Sequence, residues 1–329
     1  LLLYLEIIST NVEVKNLKRT LSLLVIILLI PVLTACSNTS KNINENNASS
    51  KTVIDKNINL NIMTTDKLLY SIVKAIVKDR HTLNYMFKDR ISEINFKFTY
   101  DSLNNVSKKD LFIYVGSDFE PWIDSFTDKL NKNNLGVINS SRGVKFISYN
   151  KPVKYDDITI NQNPYYFMDI DNYKVMLVNI KNAVEDKDPQ SRSFYEQNFS
   201  TELKNLQTYQ KSLKSVNENL SNYVFLTLNE DLAYFINYNK LNLLDTNSSY
   251  NNILPLDPNE RASLQNKLNN LQDKAVLLYT SDSDLKNNYS IIKKYHIKTA
   301  KIMMFNGNYS YEDTLKYNIN SLKGIYEKK

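Results

Sequence analysis

The chain has one cysteine, two histidines and five glycines in 329 residues, and each scarcity removes a class of chemistry. A single cysteine, Cys36, excludes an internal disulfide framework, so a folded domain must rest on its apolar core. With so few glycines there is no Gly-x-x-x-x-Gly-Lys loop and no Gly-x-Gly-x-x-Gly turn to cradle a phosphate. His81 and His296 fall short of the three or four imidazole and carboxylate ligands that zinc or manganese sites use. No Gly-x-Ser-x-Gly elbow and no Ser/His/Asp or Cys/His set is present, which argues against an enzyme. A net charge of +6, from 41 basic and 35 acidic residues, is too mild to point to nucleic acid.

What the chain does have begins near its start. Lys15, Lys18 and Arg19 precede a nearly unbroken apolar run from Leu21 to Val32, and Leu33-Thr34-Ala35-Cys36 follows. Basic, apolar and small-residue segments in that order are the parts of a bacterial secretory signal, and the run is well short of the roughly twenty residues of a membrane span. The cut falls before the cysteine. This arrangement resembles the lipobox of bacterial lipoproteins, which implies that Cys36 carries diacylglycerol and opens the mature chain. Each buried acyl methylene then contributes about 0.8 kcal/mol to anchoring. Residues 1–35 are accordingly read as a signal peptide, with a start placed too early because the first fourteen residues precede the basic segment. Residues 36–52 are read as the lipidated cysteine and a flexible tether, since SNTSKNINENNASSKT holds one isoleucine and no aromatic residue. The expected location is the extracytoplasmic face of the cell membrane.

Beyond the tether the pattern is α/β. Ile58, Leu60 and Ile62 suggest a strand. Leu68, Leu69, Ile72, Val73, Ile76 and Val77 recur at helical spacing between Asp66 and Asp79. Alternating Ile94, Phe96 and Phe98 suggest a second strand, and Leu111 to Val115 a third, closed by Gly116. From Asp171 to about Asn219 there is no glycine, and apolar positions keep helical spacing on both sides of Asp188-Pro189, as two helices or one kinked at Pro189. The strand and helix rhythm then returns with strands at Tyr223–Leu228, Ala275–Tyr279 and Ala300–Phe305, and a last helix from Tyr311. The expectation is two lobes (53–160 and 221–329), each with a short, mainly parallel sheet flanked by helices, joined by a long rigid helix within 165–220.

Several segments, in order, resemble the solute-binding lipoproteins of zinc and manganese ABC importers. Lys109 to Gly116 followed by Glu120-Pro121-Trp122 is similar to that family's strand, glycine turn and Glu-x-Trp. Asn163-Pro164-Tyr165-Tyr166-Phe167-Met168-Asp169 stands where the family has Asp-Pro-His-x-Trp-Leu-Asp. Asp188-Pro189 with Tyr195-Glu196-Gln197-Asn198, and the closing YEDTLKYNINSL from Tyr311, complete the series. The resemblance implies a ligand cleft between two lobes, a membrane permease as partner, a monomer and a divalent cargo such as zinc or manganese.

The family's metal ligands, carried over position by position, are absent. A histidine position is Tyr165, another is Asn229 after Leu226-Thr227-Leu228, and a first-lobe histidine would fall near Ile94 to Phe96. The late carboxylates would fall near Thr280 and Asn306. Phenol and amide groups are poor zinc ligands, so zinc at the usual place is disfavoured and the ligand is altered or unknown. The candidate cleft residues are Tyr165, Asn229, Asn306 and Glu120. Glu120 follows a strand end, where it either faces the ligand or caps the next helix, with Trp122 in the core. Tyr165 and Tyr166 either wall the cleft or fill core volume. Ser281, Asp282, Ser283 and Asp284 either hold a hard cation or cap a helix. His81 and His296, set among basic residues, are expected to be solvated or capping rather than ligating. A surface interaction lipoprotein without transport is the alternative function.

Overall fold

A computed structural model of the protein describes residues 58–244, 253–254 and 257–327. The signal, Cys36 and the tether lie outside the described residues. Strand β1 (Asn61–Asp66) leads into helix α1 (Lys67–Val77), whose six apolar residues at helical spacing are all buried. The Asp66 side chain caps α1 by accepting from the Leu69 amide at 2.9 Å. Strand β2 (Thr82–Phe87), short helices α2 (Arg90–Ile94) and α3 (Tyr100–Ser107), strand β3 (Leu111–Tyr114), helix α4 (Ile123–Lys129) and strand β4 (Gly136–Asn139) complete a parallel sheet of order β2-β1-β3-β4. An antiparallel pair, β5 (Ser148–Tyr155) and β6 (Ile158–Gln162), follows it.

Helices α5 (Ile170–Lys187) and α6 (Arg192–Asn219) are two helices, separated by a 3₁₀ turn at Pro189–Ser191. The 28 residues of α6 give it a length of about 42 Å. It packs on α1 at one end and on α7 (Ala233–Asn239) and α10 (Tyr311–Lys323) at the other. The second sheet, β7 (Val224–Thr227), β8 (Ala275–Tyr279) and β9 (Lys298–Lys301), is also parallel and is flanked by α8 (Pro258–Leu271) and α9 (Asp282–Lys294). The expected α/β architecture of two short parallel sheets and a long connecting helix is present.

Three local expectations need correction. Ile94, Phe96 and Phe98 do not form a strand: Ile94 ends α2, and Phe96 and Phe98 dock edge-on against Trp122 and Phe126. Their alternation fills an aromatic cluster from an irregular segment, with no ladder behind it. The last strand is shorter than Ala300–Phe305, because Ile302 and Phe305 are buried by packing after β9 has ended. His81 is neither solvated nor capping; its side chain is fully enclosed.

His81 instead belongs to a relay that fixes the helix junction. The Leu60 amide donates to Nδ1 at 3.3 Å, which leaves the proton on Nε2, 2.6 Å from the Tyr195 hydroxyl. Tyr195 in turn donates to Asp188 Oδ2 at 2.6 Å. Burial lowers the His81 pKa and favours this neutral tautomer. Burial opposes the charge on Asp188, yet its hydrogen-bond and cationic partners hold its pKa below the ordinary value. Tyr195→Phe removes the central link from a site with no exposure. The expected loss is about 1–3 kcal/mol, read by urea denaturation; an unchanged midpoint would contradict a role for the relay in stability.

Candidate functional site

Parallel strands place their carboxyl ends, and the loops after them, at one edge of each sheet, which is where such folds bind ligands. In the first sheet these loops begin at Asp66, at Gly116 after β3 and at Ser140 after β4; in the second, at Asn229 after β7 and Ile302 after β9. The turn after β3 is unusual in that Gly116, Ser117 and Asp118 all have positive φ, at 82°, 58° and 56°. Gly116 is obligatory there, since a Cβ would meet Asn139 Oδ1 and Ser141 Oγ at 2.5 Å. The turn folds Glu120 back under the strand end. Its carboxylate accepts from the Val115 amide at 2.8 Å, the Gly116 amide at 2.9 Å and the Thr65 hydroxyl at 2.6 Å. Glu120 therefore does not cap the next helix, and α4 starts without a side-chain cap. Trp122 is in the core as expected, with its indole N–H donating to the Glu93 carbonyl at 2.7 Å.

Beside Glu120 sits a charged group that sequence reasoning missed. Arg90, the first residue of α2, donates through Nη1 to Glu93 Oε2 at 3.1 Å and to the Phe119 carbonyl. Its guanidinium lies over the Phe119 ring, 3.9 Å from the centroid, and is within hydrogen-bonding reach of the Tyr165 hydroxyl. Glu93 is 1% exposed, and its Oε1, like Arg90 Nε, has no hydrogen-bond partner. From the second sheet, Asp231 accepts from the Tyr149 hydroxyl at 2.8 Å.

The electrostatics follow from enclosure. Burial, opposed by the Leu69 amide and reinforced by Glu120, pushes Asp66 up to about 7. Burial and the neighbouring Asp66 and Glu120 hold the Glu93 carboxyl well above its ordinary range. Burial also raises Glu120 and Asp231, and Arg90 acts on both in the opposite sense. Tyr165 is raised by burial and by Asp231, so it is a neutral phenol.

The four candidates divide. Tyr165 and Glu120 both stand beside Arg90, Tyr165 with its ring edge-on to Phe119. Tyr166 goes the other way, fully buried and donating to the Val115 carbonyl at 2.8 Å. Asn229 uses its side chain to accept from the Asp231 amide at 3.2 Å, which holds the turn that presents Asp231. Asn306 is exposed and accepts from the Asn308 amide at 3.0 Å. Ser281 and Asp284 form a capping box at the start of α9. His296 is exposed. Among the described residues there is no group of three or more His, Cys, Asp or Glu side chains arranged to hold a metal ion. No helix among them is long and apolar enough to cross a membrane.

The comparisons with known proteins agree with this layout. The family model for the periplasmic zinc-uptake complex component A, ZnuA, matches residues 62–324. The chain belongs to the ZnuA family. It is 22% identical over 223 residues to the high-affinity zinc uptake system protein ZnuA of Bacillus subtilis, covering 66% of this chain and 67% of that protein. It is 26% identical over 177 residues to the manganese ABC transporter substrate-binding lipoprotein PsaA of Streptococcus pneumoniae, of which the match spans 55%. The metal-dependent lipoprotein YcdH from Bacillus subtilis shares the fold, with a TM-score of 0.65 and 18% identity over 80% of this chain and 97% of that one. The ZnuA family consists of solute-binding components of importers rather than enzymes. Arg90, Glu93 and Asp231 carried no sequence signal of their own, and Asp66 only that of a helix start; the fold alone singles them out as one group.

Proposed function

We propose that this protein is the extracytoplasmic solute-binding component of a metal-type ABC importer, anchored by lipid at Cys36, with an altered donor set in its cleft. Membership of the ZnuA family supports the class. The observation that carries the finer reading is the chemistry at the strand ends. Tyr165 presents a phenol beside the Arg90 guanidinium, Asn229 and Asn306 carry amides whose oxygens accept within their own turns, and the carboxyl groups that interact with Arg90 are pushed toward the neutral form by burial. Zinc prefers imidazole, thiolate and ionised carboxylate in a tetrahedral set. The single chain delivers its ligand, of altered or unknown identity, to a membrane permease.

Equilibrium dialysis of the chain from Cys36 onward against zinc, manganese and iron tests the reading of the cleft. The expected result is no sub-micromolar zinc binding. Tight zinc binding that is lost on Tyr165→Phe or Asn229→Ala would overturn it.

A further inference from the structure

The charges around the cleft are unevenly matched. Asp66, Glu93, Glu120 and Asp231 all respond electrostatically to one cation, Arg90. Three of these carboxylates have other partners: Asp66 holds the Leu69 amide, Glu120 holds two amides and the Thr65 hydroxyl, and Asp231 holds Tyr149. Glu93 differs. Among the described residues its side chain is bonded by Arg90 alone, at Oε2, while its buried Oε1 is unpaired. A cation entering from outside would therefore have to compete with Arg90 for Glu93.

Arg90 is built to stay where it is. The Phe119 carbonyl takes Nη1, the Phe119 ring supports the flat face of the guanidinium, and the Tyr165 hydroxyl is within reach of it. A planar, permanently charged group stacked on a ring cannot be replaced by an ammonium without loss of that fit.

We propose that Arg90 is a tethered cation, the specificity-determining residue that occupies from within the chain the place beside Glu93, the Phe119 carbonyl and Tyr165 that a divalent metal ion would need, and so excludes such ions. The inference rests on the reading of the cleft given above and adds the residue responsible. Metal ions sit about 2.0–2.6 Å from carboxylate oxygens, closer than Arg90 Nη1 sits to Glu93. Both cannot serve the same carboxylate in a poorly solvated place without strong like-charge repulsion. Without the guanidinium, Glu93 has two open oxygens, with the Phe119 carbonyl and the Tyr165 hydroxyl beside the vacated place. That set consists of oxygen donors alone, which suits manganese better than zinc.

The test is titration of manganese chloride into the full mature chain, with free ion followed by its paramagnetic resonance signal at neutral pH. Wild type, Arg90→Met, Arg90→Lys and the double variant Arg90→Met/Glu93→Gln are compared. The expected result is that Arg90→Met binds manganese at least about tenfold more tightly than wild type, a difference of about 1.4 kcal/mol. Arg90→Lys keeps the charge and stays weak, and the double variant loses the gain. If Arg90→Met does not fold by circular dichroism, Arg90→Gln removes the charge while keeping amide donors, and the same comparison applies. Equal weak binding by wild type and the uncharged variants would overturn the tethered cation and leave the reading of the cleft standing. Tight zinc or manganese binding by wild type, lost on Glu93→Gln, would overturn both.

Discussion

Gly307→Ala is expected to destabilise the protein by about 3 kcal/mol and to move the two sheets apart on the side where its loop lies. The loop after β9 reaches across to the first sheet and lies directly on the β1–α1 junction. A Cβ on Gly307 would meet the Lys67 carbonyl group, with its carbon at 2.5 Å, and the Leu68 amide nitrogen at 2.7 Å. Both obstacles are backbone at the capped end of a helix, so neither can swing aside as a side-chain tip could. The residue also has φ of +75°, which costs an L-residue roughly 1–2 kcal/mol before any contact is counted. Next to it the Lys67 ammonium donates to Asn308 Oδ1 at 2.8 Å, a tie that lengthens if the loop retreats. Urea denaturation measures the loss. A distance between spin labels on α1 and α10 measures the separation. A change in stability below about 0.5 kcal/mol, with the distance unaltered, would show that the loop yields without disturbing the fold.

The position of that loop also marks how far the sequence could be read. Helix α1 was legible because six apolar residues recur on one face and Asp66 stands at its start. The break at Asp188-Pro189 was legible because proline lacks an N–H and fits only the first turn of the second helix. Strands β7 and β8 were legible as apolar runs, as parallel strands covered on both faces should be. Strand β2 was missed because Thr82–Phe87 lies at the sheet edge, where its burial is partial and its pattern weak. The β5–β6 pair was missed for the same reason: most of β5 is exposed, and its apolar contacts are few.

The sequence named Glu120 as a candidate through the strand-ending Gly116, and Tyr165, Asn229 and Asn306 through the family resemblance. It could not locate Arg90, which is one of 41 basic residues and acquires its role only because α2 brings it beside Phe119. Nor could it show that the carboxylates around Arg90 outnumber the positive charge available, since they come from positions as far apart as Asp66 and Asp231. Capping and periodicity are local properties and leave traces in neighbouring residues. An electrostatic site assembled from strand ends does not.

The excess of carboxylates has a consequence for stability that Asp66→Asn isolates. Asp66 has a folded pKa of about 7 against an ordinary value of 3.8, so between these pH values the folded chain holds a proton that the unfolded chain has released. Folding is therefore favoured most by this group below about pH 4, and the contribution is lost as pH rises toward 7. Three pKa units correspond to about 4 kcal/mol, and partial exposure of the residue reduces this to about 3 kcal/mol. Glu93 and Glu120, also raised, act in the same sense. His81 and Asp188, both lowered, act in the opposite sense and favour folding less as pH falls. Arg90 is the cation that interacts with Asp66, and Glu120 and Glu93 are the neighbouring acids. Asparagine caps a helix as well as aspartate does, so the variant keeps the bond to the Leu69 amide and removes only the ionisation. The expected result is that Asp66→Asn becomes more stable relative to wild type as pH increases from 4 to 7, measured by urea denaturation across that range. Parallel pH profiles for the two proteins would mean that Asp66 titrates as an ordinary carboxylate, and that the strand end around it is far wetter than its packing implies.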